Sequence, residues 1–120
     1  MEILTTRENG ILIVTLAGRM DADGTREFLN TSHAWHTSSI ILDLCQLDYV
    51  CSSALRVFLG MKRESDKVGK IFVLAGSFGL VDRIIEVSGF DNIFPRYMTV
   101  CDALGDIAAR ADSGTMGEVP

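Results

Sequence analysis

The chain has 120 residues, of which 48% are hydrophobic, and its formal net charge is −5. This length and composition fit one globular domain with one core. No run of Lys and Arg forms the basic face that nucleic acids and anionic membrane surfaces require, which argues against both classes of partner. No segment reaches the ~18 apolar residues of a membrane span, and no secretory leader is visible. The expected location is therefore cytoplasmic, without direct membrane insertion.

Strands and helices are predicted to alternate along the chain. The predicted strands are, in order, 2–7, 11–17, 39–45, 70–75 and 93–98. Glu8-Asn9-Gly10 has the chemistry of a hairpin turn, which makes the first two strands antiparallel. Gly18 is expected to end the second strand, and Pro95 to keep the fifth at an edge of the sheet.

Four helices are predicted from capping residues and apolar stripes. The candidate N-caps are, in order, Asp21 or Asp23, Ser52 or Ser53, Ser77, and Thr99. Gly69 and Gly89 are expected stop signals. The side chains expected to face inward are Phe28, Leu29, Trp35, Leu55, Phe58, Leu59, Leu80, Val81, Ile84, Ile85, Val100, Ala103, Leu104, Ile107 and Ala108. The pattern predicts an α/β domain over 1–110, with a mixed sheet of four to five strands packed against about four helices, and a flexible tail over 111–120.

The cysteines and histidines indicate neither a disulfide framework nor a metal site. Cys45, Cys51 and Cys101 are odd in number and lack C-x-x-C spacing, which favours buried, reduced thiols. His33 and His36 could share one helix face, but no third ligand follows nearby. We therefore predict no metal and no cofactor.

Four further patterns leave alternatives open. Gly76-Ser77-Phe78-Gly79 could cradle a phosphate, although a tight strand-to-helix turn explains it better. Asp43 and Asp48 could bind Mg²⁺ or act as acid and base, but Asp43 more simply suggests hydrogen bonding at the end of the sheet. Cys51 at a helix start could be a redox-sensitive thiol. A Ser52–His dyad would lack the G-x-S-x-G motif of hydrolases.

Four segments together resemble the STAS domains of bacterial anti-sigma-factor antagonists. The first runs from Ile40 to Phe58 and contains the Ser pair of Cys51-Ser52-Ser53-Ala54-Leu55-Arg56. Gly18-Arg19-Met20-Asp21 resembles the family's G-x-h-D, where h is apolar. Val87-Ser88-Gly89-Phe90 resembles its S-G-F, and 99–104 resembles the start of its last helix. Two positions depart from the family pattern, because Cys51 stands where Asp is common and Ala54 where Gly is common.

The resemblance implies a protein-binding switch and not an enzyme. By residue matching, Ser52 takes the place of the phosphorylated serine, with Ser53 as the competing acceptor. The implied partner-binding residues are Asp21, Cys51, Ser52, Ser53 and Arg56. The implied partner is an anti-sigma serine kinase of the histidine-kinase-like ATPase type, which binds the unphosphorylated form and releases the phosphorylated one, and a phosphatase resets the switch.

Two other functions compete with this one. Within the same fold, the chain could be the STAS subunit of a lipid-transport ABC transporter. Outside it, a small protein that handles phosphate or nucleotides could use Gly76–Gly79 and Asp43, although no nucleophile, base and orienting group occur together.

Overall fold

A computed structural model describes residues 1–35 and 38–117, with side chains described as far as residue 110. The strands are β1 (Glu2–Glu8), β2 (Ile11–Met20), β3 (Ser39–Val50), β4 (Phe72–Ala75) and β5 (Arg96–Tyr97). The α-helices are α1 (Ala22–Ser32), α2 (Ser52–Lys67), α3 (Gly79–Val87) and α4 (Val100–Gly117). A short 3₁₀ turn follows α1 at His33–Trp35, and another follows α3 at Phe90–Asn92.

The five strands form one mixed sheet in the order β1-β2-β3-β4-β5. β1 pairs antiparallel with β2, and every later pair is parallel. The turn between β1 and β2 places Asn9 at φ 52° and Gly10 at φ 78°. These are the left-handed conformations that a tight hairpin turn requires. The α/β class, the mixed sheet and the hairpin predicted from the sequence are confirmed.

Helices cover both faces of the sheet. The larger core includes Phe28 of α1, Phe58 of α2 and Ile85 of α3 against the inward side chains of β2, β3 and β4. On the opposite face, Ala103 and Ile107 of α4 cover a smaller cluster. Strand side chains alternate between the two clusters, so both faces of the central strands are buried.

Two strands continue beyond their predicted ends. β2 runs through Gly18 to Met20, so the expectation that Gly18 ends the strand is wrong. Gly18 has φ 101°, and the register with β3 shifts between Gly18 and Arg19, which identifies a bulge instead of an end. β3 likewise continues past Cys45 to Val50, because β2 supplies a pairing partner along that length.

Other predicted boundaries and buried faces need smaller corrections. The predicted fifth strand shrinks to Arg96–Tyr97, because Phe90–Asn92 forms a 3₁₀ turn and Pro95 cannot donate to the ladder. Leu29, Leu80 and Ala108 are exposed, since each lies at the margin of its helix's apolar stripe.

The predicted capping and stop residues of the helices are confirmed in part. Thr99 accepts a hydrogen bond from the Asp102 N–H at 3.0 Å and so caps α4. Phe78, not Ser77, occupies the N-cap position of α3. Gly69 and Gly89 lie just past α2 and α3 with φ 72° and 77°, as predicted for stop signals.

The last helix continues to Gly117, into the segment that the sequence predicts as a tail. Residues 118–120 lie outside the described part of the chain. The flexibility of 111–120 therefore stays a prediction. Within the described ranges, no helix is long and apolar enough to span a membrane.

Candidate functional site

The residues singled out from the sequence meet at the carboxyl edge of the sheet. Met20 and Val50, the last residues of β2 and β3, are paired neighbours. Asp21 follows the first and Cys51 the second, so α1 and α2 begin side by side. The Cys51 N–H donates to the Met20 carbonyl at 3.0 Å, which ties the two strand ends together.

Asp21 caps α1. Its Oδ1 accepts a hydrogen bond from the Gly24 N–H at 2.9 Å, and its backbone is extended, as an N-cap requires. This hydrogen bond is the main reason that the pKa of Asp21 is lowered, and the nearby Arg19 charge acts in the same direction. A carboxylate there also opposes the positive end of the helix dipole. Asp21 is thus an ionised cap, exposed at the edge of the sheet.

Gly24 allows α1 to begin close to the end of β2. A Cβ at this position would lie 3.0 Å from the Arg19 carbonyl oxygen and 3.3 Å from the Met1 Sδ. The Arg19 oxygen is a backbone atom, so it could move away from a Cβ only if the end of β2 shifted, and that shift would cost stability. Met1 also packs against the main core, so the start of β1 lies beside the N-terminus of α1.

The N-cap of α2 is Cys51, whereas the sequence favoured Ser52 or Ser53. Cys51 has the extended backbone of an N-cap, and no side chain in the described part of the chain makes a capping hydrogen bond there. Ser52 and Ser53 are the first two residues of the helix, and both are exposed. The capping prediction failed by one residue, because β3 continues up to Val50 and the chain can turn only after it.

Cys51 links the two helix starts through hydroxyl groups. Its Sγ lies 3.1 Å from the Ser53 Oγ and 3.5 Å from the Thr25 Oγ1. Thr25 in turn donates from its hydroxyl to the Asp21 carbonyl at 2.7 Å. These contacts connect the beginning of α2 to the beginning of α1. Thr25 was not a sequence candidate, because nothing in the chain's pattern places it opposite Cys51.

The surroundings of Cys51 favour its thiolate. Partial burial acts to raise the pKa of this thiol, but the Ser53 and Thr25 hydroxyls and the Ala54 and Ser53 N–H groups together lower it. Helix N-termini have this effect on cysteines in general. Cys51 is a free thiol that packs against the main core, as predicted, but it is half-buried and hydrogen-bonded, so the predicted full burial is wrong.

The other two cysteines also differ from expectation. Cys45 and Cys101 are exposed, not buried. Asp43 lies beside Cys45, and its hydrogen bond to the thiol, together with partial desolvation of the sulfur, raises the pKa of Cys45. Asp43 also accepts from the Cys45 N–H at 3.1 Å and from the Thr15 Oγ1 at 3.4 Å. The predicted hydrogen-bonding role of Asp43 is confirmed.

The loop 76–79 has the geometry of a tight turn. Gly76 and Gly79 have φ 75° and 54°, conformations that favour glycine. A Cβ on Gly76 would lie 3.1 Å from the Cys45 Cβ and 3.3 Å from an Asp43 oxygen. The close packing of Gly76 on β3 explains this glycine without a bound phosphate, and the acidic neighbour disfavours an anion.

Further charged residues complete the edge. Arg19, next to the last residue of β2, lies over the Tyr49 ring at 4.6 Å from its centroid, a cation–π contact that sequence reasoning missed. Arg56 and Asp48 are exposed.

His33 is exposed and His36 lies outside the described residues. Across the residues with described positions, no three His, Cys, Asp or Glu side chains come together as metal ligands.

Comparison with known proteins assigns the chain to a family. The family model described as "Mlab, STAS domain" matches residues 4–99. BtrV of Bordetella bronchiseptica, a candidate anti-sigma factor antagonist, is 31% identical over 99 residues, which cover 79% of this chain and 84% of that protein. The chain therefore belongs to the STAS domain family, as the sequence motifs predicted.

Solved structures share this fold. A candidate anti-sigma factor antagonist from Thermotoga maritima has a TM-score of 0.82 at 16% identity, covering 88% of this chain and 94% of that chain. The anti-sigma factor antagonist SpoIIAA in its unphosphorylated form has a TM-score of 0.77 at 17% identity, over 90% and 97% of the two chains. Bacillus SpoIIAA in its phosphorylated form has a TM-score of 0.66, also at 17% identity, over 88% and 99%. At these identities the likeness concerns the fold.

Proposed function

We propose that this protein is an anti-sigma factor antagonist that works as a partner switch. In its unphosphorylated form it binds an anti-sigma factor that is also a serine kinase, and phosphorylation of Ser52 releases that partner. The single observation that carries this proposal is the position of Ser52. It is an exposed hydroxyl on the first residue of α2, at the edge where Asp21 and Cys51 also meet. The name of BtrV as a candidate antagonist supports the same conclusion.

A phosphate on Ser52 is compatible with the folded domain. The first N–H groups of a helix lack partners within the helix, and the helix dipole favours negative charge there. Phosphate adds about −1.5 to −2 charge at pH 7. Since α2 begins without a charged cap, a phosphate on Ser52 would supply the anion that its N-terminus lacks. The modification therefore leaves the fold intact and acts on the partner.

The hydrogen bonds around the Ser pair favour Ser52 over Ser53 as the acceptor. The Ser53 Oγ is held against the Cys51 Sγ at 3.1 Å. To transfer a proton and receive phosphate, Ser53 would have to leave this contact, whereas the Ser52 side chain lies on the exposed surface of the helix. Ser53 therefore serves the structure of the helix start, and Ser52 serves the reaction.

Phosphorylation can break the complex by electrostatics alone. If the partner covers Ser52, an unpaired phosphate in the interface costs several kcal/mol. Each ~1.4 kcal/mol changes affinity tenfold, so one phosphate suffices to end binding. Arg56 lies four residues after Ser52, on the same side of α2, and is exposed. We assign Arg56 to partner contact, together with Asp21 and Cys51.

The proposal includes a division of chemistry between the partners. The kinase brings ATP, and a phosphatase resets the switch, while this chain is the substrate of both and is not an enzyme. It takes no cofactor and no metal, and acts in the cytoplasm. The chemistry of Ser52 fits this division, because an exposed hydroxyl on the first residue of a helix is accessible to a kinase that brings its own ATP.

A capture experiment tests the proposal. Wild-type protein and Ser52→Asp are immobilised in equal amounts, incubated with lysate of the source organism, and the retained proteins are identified by mass spectrometry. We expect a histidine-kinase-like ATPase on the wild type and its loss on Ser52→Asp. Retention of ABC-transporter subunits on both baits would instead establish the transporter alternative.

A second experiment locates the phosphate. The captured kinase is purified and incubated with ATP and the wild type, Ser52→Ala or Ser53→Ala. Mass spectrometry should find phosphate on Ser52 in the wild type and in Ser53→Ala, and none on Ser52→Ala, which still binds the kinase. Phosphate on Ser53 would show that the two serines are assigned in the wrong order.

A further inference from the structure

A cleft of about 390 Å³ opens between α1 and α2, toward the carboxyl-terminal ends of both helices. Its apolar lining comes from α1, the turn after it, the start of β3 and α2: Leu29, Trp35, Ile40, Val57 and Met61. Small-molecule sites in proteins are concave, mostly apolar and about 300–1,000 Å³ in volume. The cleft has these properties, and it lies away from the carboxyl edge of the sheet.

The floor of the cleft is held in place by aromatic packing. Trp35 is 6% exposed, and its ring meets that of Phe28 edge to face, with 5.5 Å between the centroids. Phe28 makes the same kind of contact with Phe58 of α2, also at 5.5 Å. A wall that is already ordered loses little conformational freedom when a ligand binds, so its apolar area contributes more to affinity.

One buried polar side chain faces this cleft. Ser65 of α2 lines it and is 8% exposed. Every fully buried side-chain oxygen in the described part of the chain has a hydrogen-bond partner. The Ser65 hydroxyl bonds to none of the described residues, so its oxygen is accessible, and the accessible surface of Ser65 belongs to the cleft. A ligand with one donor or acceptor above Ser65 would therefore find a partner there.

The charges at the cleft favour an uncharged ligand. Glu64 also lines it, so an anion would meet a like charge. The Glu64 carboxylate already pairs with Lys67 at 3.2 Å, and both side chains are exposed, so a cation would gain little from it. An apolar cavity of about 150 Å³ accommodates benzene, and this cleft therefore holds a molecule roughly two to three times that size.

We propose that the cleft binds an uncharged, mostly apolar small molecule with one hydrogen-bonding group, which the Ser65 hydroxyl contacts. The apolar body of the ligand packs against Trp35 and Met61. This inference does not rest on the proposed function, because the residues that line the cleft are not those assigned to partner binding.

Gly60 allows the cleft to be filled from within the chain. It shares one face of α2 with Val57 and Glu64 at helical spacing, and a Cβ on it would meet no atom within 4 Å beyond its own turn of helix. Packing therefore does not require a glycine there. Leu suits a helix better than glycine does, and at this position its side chain would occupy the cleft.

The chain offers a matched control for this substitution. Gly105 is also helical, and a Cβ on it would likewise meet no atom within 4 Å beyond its own turn of helix. It belongs to α4, which covers the opposite face of the sheet. Gly105→Leu therefore adds the same side chain to a helix that does not line the cleft.

The probe is N-phenyl-1-naphthylamine, an uncharged apolar amine with one N–H, whose fluorescence rises in apolar surroundings. Trp35 is the only tryptophan of the chain, so a fall in tryptophan emission reports a probe bound near it. The probe is titrated into the wild type, Gly60→Leu, Gly105→Leu and Ser65→Ala. Thermal melting of each variant without the probe reports its fold.

We expect saturable binding of one probe per wild-type chain, with a parallel fall in Trp35 emission. Gly60→Leu should bind at least about tenfold more weakly, because its side chain fills the cleft, and should melt no earlier than the wild type. Ser65→Ala should bind a few-fold more weakly, because one hydrogen bond is lost. Gly105→Leu should bind like the wild type.

The absence of saturable binding to the wild type would overturn the proposal, and so would wild-type affinity in Gly60→Leu or an equal loss in Gly105→Leu. If Gly60→Leu melts much earlier than the wild type, Ser65→Ala decides, and unchanged affinity in that variant overturns the proposal. None of these outcomes bears on the Ser52 switch, because no kinase enters the measurement.

Discussion

The N-termini of α1 and α2 lie side by side but have different N-cap residues. α1 begins with Asp21, whose ionised side chain accepts the Gly24 N–H. α2 begins with Cys51, whose sulfur contacts two hydroxyls, and in the described structure no side chain makes a capping hydrogen bond at this helix start. A thiol is a weak acceptor compared with a carboxylate. α1 therefore begins with a carboxylate cap supplied by the chain, whereas α2 begins with a thiol that accepts hydrogen bonds only weakly, so its N-terminus can still bind an anion from outside.

This difference explains why the two positions suit different roles. A carboxylate that is already hydrogen-bonded to its own helix stabilises the fold and presents a fixed negative charge. A helix start without a charged cap gains the most from an added phosphate. The neighbouring strand ends thus place the permanent charge of Asp21 beside Ser52, the residue that we propose is phosphorylated. The following predictions test that division, from the largest expected effect to the smallest.

The largest effect should come from adding a charge at the first residue of α2. Ser52→Asp should weaken binding of the kinase by about 100-fold or more, because a carboxylate in the interface loses its hydration. Ala22 is the equivalent first residue of α1 and is also exposed, so Ala22→Asp is the matched control. Calorimetric titration should show a much smaller loss for Ala22→Asp. Equal losses would mean that charge matters at this edge and position does not.

Removal of the α1 cap should destabilise the fold. Asp21→Ala should lower the melting temperature by on the order of 5 °C, whereas Asp21→Asn should lose less, since Asn also caps. Because the pKa of Asp21 is lowered in the folded state, its ionised form stabilises the protein above its unfolded pKa. This contribution is lost as pH falls through the folded pKa, so the gap between wild type and Asp21→Ala should narrow in acid. A gap independent of pH would show that the carboxylate's charge contributes nothing.

A charged cap on α2 should have a smaller and opposite effect. Cys51→Asp should raise stability by about 0.5–1 kcal/mol, because a carboxylate can accept hydrogen bonds from N–H groups of the first turn and from the Ser53 hydroxyl. Urea unfolding with an unchanged m-value measures this gain. Cys51→Ala is the control and should not gain stability. A loss of stability in Cys51→Asp would mean that the sulfur already satisfies the helix start.

The smallest effect concerns the reactivity of the thiols. The pKa of Cys51 is lowered and that of Cys45 is raised, and alkylation requires the thiolate. As pH rises, iodoacetamide should therefore label Cys51 before Cys45. Peptide mass spectrometry after short exposures across a pH series measures both midpoints. Ser53→Ala removes one hydrogen bond to the sulfur and should move the Cys51 midpoint upward. Identical midpoints for the two cysteines in the wild type would contradict this.

Features that depend on a few neighbouring residues could be predicted from the sequence. The Asn9-Gly10 turn, the Asp21 cap and the exposed Ser pair at the start of α2 are of this kind. Features that depend on distant neighbours could not. The bulge at Gly18 exists because β3 offers pairing partners beyond it, and the contact of Thr25 with Cys51 joins residues from two helices. Burial at the margin of a helix stripe, as at Leu29 and Leu80, depends on what the neighbouring element covers.

The position of Met1 has a practical consequence for such measurements. Its side chain lies close to Gly24, and its backbone lies close to Gly18, both next to Asp21. An affinity tag or fluorophore attached ahead of Met1 would therefore emerge beside the edge that we assign to the kinase, and could obstruct it. α4 begins at this edge after β5 and runs away from it, so attachment behind the last helix keeps the label at a distance. Immobilised baits and labelled titrants should be joined through the carboxyl-terminal end.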